Sequence, residues 1–283
     1  MSDDFSEQAQ ADFSRARWKV FVRDVLASLK GEKNTLLSYD EVKEKLHIGG
    51  PIYRGVRTIR VSQIVGSLNR YHEFDAAFLP KNNENANRWQ SVDRAFYQEV
   101  SLPPVVLYKV GEVYFVVDGH HRVSVAREQG AEFIDAEVRE CSTKVKIKSG
   151  LKSEDLEILQ DKVKFIEATS FDQLLPDVDI FLTLPDGFSR MIEHIAVHRY
   201  FMGLDEKRDI TEHEAVLHWY DKVYLPIIKV IRESGLLENF PGKSEGDLYL
   251  WVLDHQAYLN EEEGYDLQPP VSAAWDFVRE KED

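Results

Sequence analysis

The sequence predicts an α+β protein: a small mixed α/β domain set between a helical prefix and a mostly helical C-terminal region. Three observations carry this. Apolar residues recur at helical spacing over residues 5–30. Short alternating or continuous apolar runs, separated by turn residues, fill residues 51–140 and read as strands. Beyond residue 150 helical spacing returns, with cap residues at the starts of segments. The expected domains are 1–50, 51–145 and 150–283, with the polar stretch STKVKIKSGLKSED marking the last boundary.

In the prefix, Phe13, Trp18, Phe21, Val25 and Leu29 form the apolar spacing of a first helix. A second begins at Ser38, where Glu41 three residues on completes a capping box. The stretch GVRTIRVSQIV then alternates like a strand. LPPVVLYKV is a strand opened by two prolines, GE is a turn, and VYFVV is a continuous apolar run suited to a strand buried on both faces. After Asp118 and Gly119 a helix follows, with Val123, Ala126 and Val125 as its buried stripe and Gly130 as its C-terminal cap. FIDAEV is the next strand, so the unit reads hairpin, helix, strand. In the C-terminal region Ser170 with Gln173 and Thr211 with Glu214 suggest capping boxes, and DIFLTL suggests one isolated strand. A helix is expected to end at Gly203, another to run past Tyr224 despite Pro226, and a last one to extend from the cap residue Ser244 to Gly264.

Composition sets the class. The chain has 283 residues, 43% hydrophobic and 30% charged, which suits a soluble globular protein. No apolar run approaches the roughly 20 residues of a bilayer-spanning helix, so no membrane partner is expected. The acidic, polar start MSDDFSEQAQADF does not resemble a targeting peptide. A cytoplasmic setting is expected. The single cysteine, Cys141, excludes an internal disulfide and a cysteine-based zinc site. Charge is uneven: residues 1–150 hold 22 basic and 21 acidic residues, net +1, while residues 151–283 hold 13 and 29, net −16. The acidic part would repel a phosphate backbone, which disfavours DNA contact there.

The chemistry concentrates in DGHHR, residues 118–122. A strand ending in glycine and feeding a helix leaves the first helical amides without partners. Those amides and the positive end of the helix dipole favour an anion. His120, His121 and Arg122 add donors at a place where cations cost about 0.3–1 kcal/mol, and an anionic ligand offsets that cost. Arg122 is the best bidentate phosphate donor, Gly119 permits close backbone approach, and Asp118 suits orienting a histidine or holding a metal ion. A plain Asp-Gly turn with packed histidines is the alternative.

The stretch VVDGHHRVSVAREQG, with IRVSQIVGS and PPVVLYKVGEVY before it and FIDAEV after it, resembles the ParB/sulfiredoxin superfamily domain over about residues 56–140. The resemblance implies a ParB/sulfiredoxin-like α/β domain that binds nucleotide phosphates at this helix N-terminus. In ParB proteins the box reads Gly-Glu-Arg-Arg; Gly119 and Arg122 match it, and His120 and His121 replace the middle pair. In sulfiredoxins it reads Gly-Cys-His-Arg; here His120 stands where the nucleophilic cysteine belongs and Cys141 lies elsewhere, so sulfinic-acid repair is not expected. The Asp-Gly-His-His-Arg form is similar to superfamily members that act as small-molecule kinases, such as archaeal free-serine kinases. Those use a glutamate base after the first strand, which points to Glu73 in NRYHEFD, with Asp75 in reserve. Arg70 lies where ParB proteins carry an arginine after that strand. The implied catalytic set is Glu73, Asp118 and His121. The implied binding set for ATP, ADP or CTP is Gly119, His120, His121, Arg122 and Arg70, with Mg²⁺ on Asp118.

Two functional readings stay open: a phosphotransferase or NTPase acting on a nucleotide or small phosphorylated ligand, and a regulatory or DNA-associated sensor that binds without turnover. An adaptor whose motif has lost its ligand is a third. A homodimer is also open. Other motifs carry less. His194 and His198 lie one helical turn apart beside Glu193 but lack the order of a zinc protease and a third ligand. Gly242-Lys243-Ser244 has Leu237 where a P-loop needs glycine. No nucleophile elbow is present.

Overall fold

The computed structural model describes residues 2–31, 34–263 and 270–282. It divides into two compact units, residues 1–156 and 157–283. The first contains α1 (Ser2–Lys30), β1 (Leu37–Ser38), α2 (Tyr39–Lys45), β2 (Pro51–Arg60), β3 (Ile64–Ser67), α3 (Ala86–Tyr97), β4 (Val105–Val110), β5 (Val113–Asp118), α4 (His120–Glu128) and β6 (Phe133–Cys141). The six strands form one mixed sheet in the order β1-β3-β5-β4-β6-β2. The architecture is α+β.

β4 and β5 pair as an antiparallel hairpin turning at Gly111 and Glu112. The apolar run of β5 lies between β3 and β4, and Val113, Tyr114, Phe115 and Val116 are all buried. α4 then crosses to β6, which pairs parallel with β4. Val123, Val125 and Ala126 are buried as expected. Gly130, at φ 69°, closes α4, and the Ala131 amide donates to the Ala126 carbonyl at 2.9 Å. A core of Ile64, Phe74, Phe78, Leu107, Val116, Val123 and Val138 sits on the sheet.

Two sequence expectations are corrected here, and one helix is new. The stretch GVRTIRVSQIV is not one strand. β2 lies on the sheet's edge beside β6, a 3₁₀ turn at Val61–Gln63 breaks the run, and β3 enters between β1 and β5. The Val61 amide donates to the Glu132 carbonyl at 2.9 Å, which anchors that break. The expected stripe of α1 does not face the core as a whole. Phe13 is buried with Ala16 and Val20 against Trp89 and Val125, while Trp18, Phe21, Val25 and Leu29 are exposed. Finally, α3 went unread. It packs on α1 and α4 through Trp89, whose indole N–H donates to the Ser124 hydroxyl at 2.9 Å. Ser38 does cap α2, accepting from the Glu41 amide at 3.4 Å.

The second unit is helical: α5 (Asp155–Thr169, beginning at the division), α6 (Phe171–Leu174), α7 (Gly187–Glu206), α8 (Glu212–Trp219), α9 (Leu225–Ser234), α10 (Glu245–Glu263) and α11 (Pro270–Glu282). The Thr211–Glu214 capping box is complete. A π-helical turn, Tyr220–Tyr224, carries α8 into α9 without a break, and Pro226 follows directly in the first turn of α9. Ser244 caps α10 by accepting from the Asp247 amide at 3.1 Å, which is its role in place of a P-loop. Several details differ. DIFLTL makes no strand; its end is tied down by Asp247, which accepts from the Thr183 and Leu184 amides. Ser170 lies at φ 51° and caps nothing with its side chain. α7 continues through Gly203 to Glu206. Gly264 lies outside the described residues. No helix among the described residues is long and apolar enough to cross a membrane.

Candidate functional site

The site is built at the end of β5. Gly119 adopts φ 94° and ψ 23°, a left-handed conformation that costs an L-residue about 1–2 kcal/mol. A Cβ there would lie 2.6 Å from Val105 Cγ1 and 2.9 Å from Arg122 Nη2. Glycine is thus required both by backbone geometry and by the guanidinium packed over it. The chain enters α4 at once, and its first amides have no partners within the helix.

Arg122 is committed to its own chain. Its Nη1 donates to the carbonyls of Pro103 and, at 2.9 Å, Pro104, and its Nη2 donates to Asp118 Oδ2 at 2.7 Å. The side chain is 15% exposed and that of Asp118 66%. Arg122 ties the entrance of β4 to the start of α4, and Asp118 pairs with it. This differs from the free phosphate donor and free metal ligand that the motif suggested.

The two histidines are buried. His120 Nε2 shares a 2.7 Å hydrogen bond with the Ser67 hydroxyl at the end of β3, and its ring stacks on Phe74. His121 meets the edge of Phe74 and is 5% exposed, and neither of its ring nitrogens has a hydrogen-bond partner among the described residues. Burial lowers both pKa values to about 4; Arg70 adds to this in each case, and Arg88 does so for His121. Both imidazoles are neutral at pH 7, so the motif contributes one cation to the helix start, not three.

Arg70 and Glu73 lie in the loop after β3. Arg70 donates to Glu73 through Nε at 2.7 Å and Nη2 at 2.5 Å, and Asn85 Nδ2 donates to the same carboxylate at 2.8 Å. The hydrogen bonds and charge of Arg70 hold the Glu73 carboxyl below its usual range despite partial burial. The fields of Glu73 and Asp118 both act on Arg70, and those of Arg70 and Glu73 both act on the two imidazoles. Arg70, Glu73, Asp118, His120 and His121 therefore share one locality. Asp75 does not serve it. Its Oδ1 accepts from the Ala77 and Leu79 amides and its Oδ2 from Arg23, so it anchors the loop. Arg88 and Asn85 were missed by motif reading. The available signal was the face of α3, where 85, 88 and 89 recur at helical spacing.

No group of three His, Cys, Asp or Glu among the described residues is placed to hold a metal ion. His198 Nε2 meets His218 Nδ1 at 2.7 Å, while His194 Nδ1 meets the Tyr249 hydroxyl at 3.3 Å, so the two histidines of α7 serve different contacts. Cys141 is buried against the Tyr39 hydroxyl.

Among solved structures, sulfiredoxin from Arabidopsis thaliana is similar at 14% identity, over 31% of this chain and 86% of that one, with a TM-score of 0.25. A Pnob8-like ParB-N domain is similar at 12% identity, over 81% of this chain and 98% of that one, with a TM-score of 0.23. No family model matches the sequence, and no curated protein matches it.

Proposed function

We propose that the first unit binds the phosphates of a nucleotide, or of a small phosphorylated ligand, at the start of α4. The observation that carries this is His121, a buried imidazole with both nitrogens unpartnered beside two arginines and a paired glutamate. An unsatisfied buried polar group costs about 1–3 kcal/mol, and folding gains nothing by keeping it. A phosphate oxygen or hydroxyl hydrogen-bonded to His121 offsets that cost.

In this reading the Arg70–Glu73 pair closes the site. Phosphate competes with Glu73 for Arg70, and the amides of His120 and His121 complete the anion cradle. Arg122 shapes the cradle from behind, and Arg88 adds positive field. Asp118 fits Mg²⁺ only as a single carboxylate ligand to an ion carried in on the phosphates. Glu73 is a weak base while Arg70 holds it. Drawing Arg70 onto a phosphate raises its basicity and frees it to take a proton from an acceptor hydroxyl. Binding and turnover both depend on that exchange; turnover further needs the freed Glu73 to take the acceptor's proton, a step that a sensor lacks.

The test is isothermal titration of ATP, ADP, CTP and GTP with Mg²⁺ into wild type, Arg70→Ala and His121→Leu, with phosphate release measured in parallel. Wild-type binding that both variants lose supports the site. Binding with release or transfer of phosphate supports the enzyme, and binding without it supports the sensor. No binding of any nucleotide by wild type refutes the proposal.

A further inference from the structure

α1 is apolar on two opposite faces. Ala9, Phe13, Ala16 and Val20 are buried against the body of the first unit. On the far side Trp18, Phe21, Val22, Val25, Leu26 and Leu29 are 64, 58, 38, 44, 51 and 79% exposed. At 3.6 residues per turn these six form one continuous stripe. With aromatic side chains presenting about 150–250 Å² each, the stripe leaves on the order of 600 Å² of apolar surface uncovered, the upper end for the largest patch on an ordinary monomer.

We propose that this stripe pairs with the same stripe of a second copy, α1 against α1 in antiparallel orientation, about a two-fold axis between Arg23 and Asp24. The spacing of the stripe is its own mirror image. Inverting the helix about that midpoint sets Trp18 opposite Leu29, Phe21 opposite Leu26 and Val22 opposite Val25. Each bulky aromatic then meets a leucine, and the two valines meet at the centre. A two-fold interface requires such self-complementarity, in which i meets j and j meets i. The flanking charges permit it. Arg15 pairs with Asp12 at 2.9 Å, Lys19 with Glu128 at 2.9 Å and Arg23 with Asp75 at 3.3 Å, so these three cations beside the stripe are paired within each copy and do not repel their symmetry mates. Joining two stripes removes on the order of 1,000 Å², the lower bound for a specific interface. This inference is independent of the ligand site.

The experiment is sedimentation velocity of the full chain, monomer mass 32.8 kDa, from low micromolar to about 100 μM. Wild type is expected to shift toward twice that mass with concentration. Phe21→Glu is expected to raise the dissociation constant more than about tenfold, with thermal unfolding unchanged at concentrations where both proteins are monomeric, since the residue is exposed in the single copy. Val22→Cys combined with Val25→Cys is expected to cross-link into a dimer under copper-phenanthroline, with Val22→Cys alone much less so; Cys141 is buried and gives little background. A monomeric wild type at the highest concentration overturns the proposal, as does a dimer that Phe21→Glu leaves intact. Co-sedimentation of monomeric wild type with phosphatidylserine vesicles assigns the stripe to lipid instead.

Discussion

Replacing His121 with leucine separates a binding residue from a packing residue. The two side chains are close in volume, and a volume-conserving core exchange usually costs less than about 1.5 kcal/mol. The exchange also removes a buried polar group without partners, worth about 1–3 kcal/mol in the opposite direction. At pH 7.5 the variant is therefore expected to be at least as stable as wild type, by up to about 2 kcal/mol. Acid sharpens the contrast. The pKa of His121 falls from 6.5 to about 4 on folding, chiefly through burial. Its contribution to stability is present above the unfolded value and is lost as pH falls from 6.5 toward 4. One unit below 6.5 the loss is about 1.4 kcal/mol for this imidazole, and the leucine variant escapes it. Urea unfolding followed by tryptophan fluorescence at pH 7.5 and 5.5 measures both numbers. A variant more than about 2 kcal/mol less stable at pH 7.5 refutes the reasoning, because His121 would then be holding the fold together. An acid loss equal to that of wild type refutes the buried neutral imidazole.

Gly119→Ala forces a Cβ into a left-handed position and against Val105 and Arg122, so a loss of about 2–4 kcal/mol is expected by urea unfolding. Glu73→Gln removes the competitor for Arg70, so titration calorimetry should show tighter phosphate binding, about tenfold, while any phosphotransfer rate falls. Asp93 is buried, and desolvation raises its pKa to about 6, with Asp12 and Glu128 adding to the rise. The destabilisation grows as pH rises from the ordinary value of 3.8 to about 6 and is complete above that. Asp93→Asn should therefore raise the melting temperature by several degrees at pH 7.5 and have little effect near pH 4.

The hairpin, α4 and β6 were legible in the sequence because a buried strand is a continuous apolar run and Gly119 and Gly130 punctuate the helix between them. The failures have physical causes. Spacing shows that one face of α1 is apolar, but it cannot say whether another part of the chain covers that face, and here Trp18 to Leu29 stay outside. The cap of α3, Asn85, makes no side-chain cap bond and no capping box opens the helix, so nothing in the sequence marked where it starts. At the site, residue types marked Arg122 and Asp118 as ligand groups, yet Pro103 and Pro104, 19 and 18 positions upstream, take up the guanidinium through contacts that exist only after folding. The field of Arg88 acts on His121 only because α3 packs on α4.

The two rims of the sheet have a consequence for solubility. β2 begins at a proline, slips its register between Tyr53 and Val56, and points Arg54, Arg57 and Arg60 into solvent, although Ile52, Tyr53 and Val56 are also exposed. A foreign strand finds neither an even ladder of amides nor an uncharged flank there. At the opposite rim β1 is two residues long, too short to template anything. Sheet extension into fibres is thus blocked at both sides, and a concentrated solution of the chain should stay free of thioflavin-positive aggregate even where its helices associate.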